Sequence, residues 1–168
     1  MSIVKLFSLL TFIAVVLSGC DNNRSESHTN IALIDLSKAF TSSEIASQEK
    51  ERIDSIIISM QDIMDKSKKE YDKLSPEKAE VARKADAVNM GIFLEQSKHS
   101  TRLSSLKVIQ EEIEKMRKEG GYDVILLRST VLSADEKMDI TNALVQRLKG
   151  LKVDYGEMPA FTLKDTAE

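Results

Sequence analysis

A single Ser75-Pro76-Glu77 step interrupts an otherwise continuous helical pattern that runs from Ser42 to Glu119. Proline is poor inside a helix and preorganised at its first position, and Ser75 can cap the helix that Pro76 opens. Before the break, Ala46, Ile53, Met60 and Leu74 recur at sevens, with Ile56 and Ile63 in the companion position. That is a heptad seam, interrupted by Ser67 and Glu70. After the break, Ala85, Ile92, His99, Leu106 and Ile113 hold one register and Val88, Ile109 and Met116 the other, with Glu95 and Arg102 as polar intruders. Gly120-Gly121 stops the second helix, since glycine supplies a left-handed C-terminal turn. Two helices of about 33 and about 43 residues, roughly 50 and 65 Å long, joined by a tight turn, predict an antiparallel hairpin arm over 42–119.

The flanks of the arm read differently. Asn30-Ile-Ala-Leu-Ile-Asp35 and Tyr122-Asp-Val-Ile-Leu-Leu-Arg128 are short, apolar and β-branched, and predict strands. Thr130-Val-Leu132 reads as a third strand. Leu36 to Thr41 reads as a turn or one helical turn with Phe40 as an apolar plug, and Ser42 or Ser43 as the cap of the first long helix. A last helix is expected from an Asp139 N-cap to about Lys149, with Ile140, Ala143, Leu144 and Leu148 on its apolar face. Residues 150–168, with Gly156 and Pro159, carry no pattern and predict a disordered tail. The fold class is therefore α+β: a small β-rich head, 30–41 and 120–149, with a long helical arm.

The N-terminus predicts export. Lys5 precedes an apolar run from Leu6 to Leu17, too short to span a bilayer comfortably, and small residues follow. Leu17-Ser18-Gly19-Cys20 resembles the cleavage site of a bacterial lipoprotein. The resemblance implies a signal peptide over 1–19, a lipid on Cys20, and a tether over 20–29 that reaches at most about 30 Å. Cys20 is the only cysteine among 168 residues, so no intrachain disulfide is possible. Asp21 after the lipidated cysteine suggests retention at the inner membrane, on its periplasmic face.

Size argues for assembly. Without tether, arm and tail, about 43 residues remain for the head, near the lower limit for a domain that folds alone. The strand at 122–128 is apolar enough to be covered on both faces. The head is expected to bury that surface against other copies, with Ile31, Leu33, Val124, Ile125, Leu126 and Leu127 as the oligomerisation residues. The net charge of −3 and the lack of a basic stripe interleaved with aromatics speak against nucleic acid as a partner.

Two short strands separated by a helical hairpin resemble the periplasmic Skp/OmpH chaperone family. The likeness is carried by Ile31-Ala-Leu-Ile-Asp35, Tyr122-Asp-Val-Ile-Leu-Leu, Val131-Leu-Ser-Ala-Asp135, Asp139-Ile-Thr141 and Val145 to Leu148, and spans 30–149. It implies a jellyfish-shaped homotrimer whose arms enclose unfolded outer-membrane proteins without ATP. Three features depart from the family's best-known members: the lipid signal, the mildly acidic balance and the shorter, unequal helices. Between Asp62 and Asp86 seven Lys/Arg face seven Asp/Glu, so the arm tip is not cationic.

No nucleophile–base–orienter set, phosphate-cradling loop or metal-ligand cluster is visible, so neither enzyme activity nor a cofactor is expected. His99 lies on the expected seam, and the other histidine, His28, lies in the tether; a zinc site wants three or four ligands. Glu95, His99 and Arg102 read as a local salt-bridging face. Methionine suits promiscuous apolar surfaces, so Met64 and Met90, off the strict seam, are expected with Ile92 to contact clients. The function expected is a lipid-anchored periplasmic holdase for unfolded envelope proteins. The competing reading is an assembly lipoprotein of an envelope secretion or conjugation machine that reuses the same fold.

Overall fold

The computed structural model describes residues 29–161. The expected signal peptide, Cys20, Asp21, His28 and residues 162–168 lie outside them. In chain order the elements are β1 (Ile31–Ile34), α1 (Leu36–Thr41), α2 (Glu44–Tyr71), α3 (Pro76–Glu119), β2 (Val124–Leu127) and α4 (Thr141–Arg147), with single 3-10 turns at Arg128–Thr130 and Glu136–Met138.

Local chemistry explains most boundaries. Asp35 caps α1 by accepting from the Lys38 backbone N–H at 2.9 Å. Ser43 holds the cap position of α2 but does not cap it; its hydroxyl donates to the Phe40 carbonyl at 2.8 Å. Ser75 accepts from the Lys78 N–H and Pro76 begins α3, as expected. At the far end Tyr122 N–H returns to the Arg117 carbonyl (3.0 Å) and Gly121 N–H to that of Lys118 (3.4 Å). This closes α3 with a Schellman turn, and Gly121 takes the left-handed conformation at φ 64°. Gly120 is needed for a different reason: a side chain there would strike the Tyr122 ring.

The seam between α2 and α3 does not follow heptads. On α2, Ile45, Ile56 and Ser67 are buried eleven residues apart, as are Met60 and Tyr71. On α3 the buried set includes Ala79, Met90, Thr101 and Glu112, again at elevens, with Ala82, Ser97, Ser105, Ile109 and Met116. An eleven-residue period is 3.67 residues per turn, close to a straight helix. The expected α2 register is present, with Ser67 inside the seam rather than interrupting it and Glu70 exposed. The expected α3 register is corrected over its first two thirds. Ala85, Val88, Ile92 and His99 are exposed on the outer face. Their places are taken by Ala79, Ala82, Ser97 and Thr101, together with Met90, Phe93 and Leu94. Two of the buried hydroxyls bond to their own helices: Thr101 to the Ser97 carbonyl (2.7 Å) and Ser67 to the Ile63 carbonyl (2.8 Å).

In the head, β1 and β2 pair in parallel with Ile31 opposite Val124 and Ile34 opposite Leu127. The whole hairpin is their crossover. The free side of β1 is partly closed by a bridge from Leu33 to Asp139, with Ile140 N–H donating to the Leu33 carbonyl at 2.9 Å. Ile34, Ala39, Ile45, Ile109, Met116, Leu144 and Leu148 form the core beneath.

Three further expectations are corrected. Residues 130–132 form no strand; the chain turns at Arg128–Thr130 and Leu132 stands fully exposed. The last helix starts at Thr141 rather than at Asp139, although the Asp139 carboxylate accepts from Thr141 N–H at 2.9 Å. Its Ala143 is exposed, so Leu144 and Leu148 carry the apolar face. Residues 151–161 are not a free tail. Leu151 and Val153 pack on the core, and Phe161 meets Phe93 with ring centroids 5.1 Å apart.

Candidate functional site

Two surfaces among the described residues expose apolar side chains: the end of β2 and the outer face of the arm. In the head, Leu33 is buried within its own chain, and Ile31, Val124 and Ile125 are half-buried. Leu126 and Leu127 are 38% and 42% exposed. The expected oligomerisation set therefore divides. Leu33 serves the internal core, whereas Leu126 and Leu127 project from a strand whose second edge pairs with no other strand among the described residues. An open edge carrying apolar side chains is a template for pairing with another chain.

On the arm, Met64 and Met90 come together. They line one apolar groove of about 170 Å³ with Ile57, Met60, Gly91 and Leu94. Met90 itself is buried by the hairpin, so its expected role as a free client contact is corrected; Met64 is exposed. Ile92 is elsewhere, on the outer face of α3, where Val81, Val88 and Ile92 are 69%, 61% and 52% exposed. These positions are i, i+7 and i+11, one stripe along a helix. Val81 and Val88 were missed as candidate sites. Their signal was the apolar repeat itself, which predicts burial on a seam and instead faces outward.

Near the head end of the arm, Arg102 stacks over Phe40 at 4.0 Å from the ring centroid and pairs with Glu49 of α2 at 2.9 Å. Glu95 pairs with Lys98 (2.8 Å), and His99 stays exposed beside them. The expected Glu95–His99–Arg102 face exists, but off the seam and split between two partners. At the tip, Lys66–Asp62, Lys68–Asp65, Lys73–Glu70 and Lys84–Glu80 pairs neutralise one another between residues three or four apart. Each is exposed and adds little stability. Tyr71 donates to Asp86 across the hairpin, and burial, with that acceptor, pushes its phenol up to about 12. Among the described residues no group of three or more His, Cys, Asp or Glu side chains is placed to hold a metal ion. No described helix is long and apolar enough to cross a membrane.

No protein-family model matches the chain, and no curated protein matches it. Among similar solved structures is a crystal structure from Caulobacter crescentus described as a putative outer membrane chaperone, OmpH-like. The two are 18% identical with a TM-score of 0.46, over 71% of this chain and 83% of that one.

The chemistry available to these surfaces is association. A strand edge offers backbone hydrogen bonds, and the outer stripe offers apolar area without a deep cavity. Such a stripe makes many weak, non-directional contacts rather than one tight fit.

Proposed function

We propose that this chain is a lipid-anchored periplasmic holdase that assembles through its head, as a trimer, and holds unfolded envelope or outer-membrane proteins against its arms without ATP. The observation that carries the reading is the exposed Val81–Val88–Ile92 stripe on a helix whose opposite face already packs on α2. A second apolar face has no role within the hairpin and suits a client that offers apolar segments in exchange. The open β2 edge supports assembly, because pairing it with a second copy would cover Leu126 and Leu127. The resemblance of 30–149 to Skp/OmpH chaperones supplies the expected trimer, and Leu17-Ser18-Gly19-Cys20 the expected anchor.

A holdase binds the unfolded client preferentially and lowers its free concentration. The purified mature chain should suppress aggregation of several unrelated urea-diluted outer-membrane proteins without nucleotide. Protection of none of them, together with capture of a single envelope complex by crosslinking in intact cells, would move the reading to a dedicated assembly lipoprotein.

A further inference from the structure

Residues 151–161 lie along the hairpin in the manner of a bound peptide. After Gly150, at φ 72°, the chain forms neither helix nor strand. Leu151, Val153 and Tyr155 turn inward and Lys152 and Asp154 outward, the two-residue alternation of an extended chain. Its backbone is held by side chains of α2. The Gln48 amide donates to the Leu151 carbonyl at 2.8 Å and accepts from Val153 N–H at 3.1 Å. One turn on, Arg52 donates to the carbonyls of Tyr155, at 3.3 Å, and Glu157. From α3, Ser105 and the Tyr155 hydroxyl share a hydrogen bond of 3.1 Å.

Four of these five bonds go to main-chain atoms, which every polypeptide carries. Backbone hydrogen bonds give affinity without sequence, and pockets for alternate side chains select the pattern. We propose that the Gln48–Arg52 face of the hairpin is a binding site for extended polypeptide with apolar residues at alternate positions, and that residues 151–161 occupy it as an intramolecular competitor. Unfolded transmembrane β-strands carry that alternation over about ten residues, and the seated segment shows it from Leu151 to Tyr155. The assignment of such strands as the physiological ligand rests on the holdase reading; the groove itself does not. Side-chain hydrogen bonds and a few apolar contacts hold the segment, with no helix or sheet pairing, so it belongs to the parts of the fold that open first.

The test uses the full mature chain and a fluorescein-labelled peptide of residues 151–161. Val153→Pro removes the N–H that Gln48 accepts from and should release the segment, seen as fast hydrogen exchange over 151–161. Fluorescence anisotropy should then show the peptide binding this variant on the order of tenfold or more tightly than the wild type, because the site is no longer filled. Adding Gln48→Leu should abolish that gain. Should Val153→Pro lower helix content, Tyr155→Ala/Phe161→Ala, which removes only side-chain anchors, is measured in the same way. A released segment with no gain in peptide binding overturns the proposal, as does a segment that stays protected after loss of the Gln48 bond. Peptide binding together with stronger aggregation suppression by the released variant supports both the groove and its client role. Peptide binding by a chain that suppresses no aggregation keeps the groove and removes the holdase reading.

Discussion

Arg147 of α4 and Glu112 of α3 form an ion pair that bolts the last helix of the head onto the root of the arm. The Glu112 side chain is almost wholly buried, with Lys115 as a second partner at 3.2 Å, while Arg147 also reaches Glu119 at 2.7 Å. Burial pushes the Glu112 carboxyl up, but the hydrogen bonds from Arg147 and Lys115 outweigh it and hold the group below the ordinary carboxylate range. A carboxyl depressed in the folded state stabilises above its unfolded pKa, about 4.3, and that contribution is lost as the pH falls through the lower folded value. The thermal midpoint of Glu112→Gln should therefore lie below that of the wild type at pH 7, and the two should converge under acid. Parallel curves from pH 7 to pH 3 would leave Glu112 without a part in acid stability.

The head offers a contrast between adjacent residues. Ile125 packs on the internal core, and Leu126 is the more exposed of the two. Ile125→Asp should destabilise the chain, since it removes an apolar side chain that packs on the core. Leu126→Asp should keep the helical signal and lose assembly in sedimentation at micromolar concentration. Wild-type chain that sediments as a folded monomer at that concentration would contradict assembly through the β2 edge.

The arm separates stability from holding. Ile109→Ala opens the core and should cost about 2–5 kcal/mol. Val88→Ser/Ile92→Ser alters an exposed stripe and should change stability by only about 0.5 kcal/mol per site, while reducing aggregation suppression severalfold. Equal protection by the double variant would remove the outer stripe from the client surface.

Cys20→Ser tests the anchor. It should leave an unprocessed precursor or release soluble chain from the membrane fraction. Membrane attachment that survives the change would dismiss the lipid.

Some features were readable because they are local. The Ser75-Pro76 break, the Gly120-Gly121 stop and the apolar strands at Ile31–Ile34 and Val124–Leu127 depend on backbone chemistry within a few residues. The α2 seam was readable too, since Ile56 and Met60 are buried as their spacing predicts, although Ile58 on the other face stands 65% exposed. The α3 seam was not. Val81, Ala85, Val88 and Ile92 make a better apolar stripe than Ala79, Ala82, Ser97 and Thr101, yet the second set is buried. The packed face also holds Met90, Phe93 and Leu94, so α3 carries apolar residues on two faces and only contact with α2 decides between them.

The sequence by itself determined that a hairpin arm with a fixed turn divides two short strands, since capping, proline geometry and glycine conformation act over a single turn of chain. Tertiary structure alone decided which face of α3 meets α2, where Leu126 and Leu127 end up, and that residues 151–161 lie against the arm. The bonds from Gln48 to Leu151 and Val153 span about a hundred residues of chain. The alternation of Leu151, Val153 and Tyr155 with Lys152 and Asp154 stands in the sequence, but so short a pattern names no partner that only folding brings within reach.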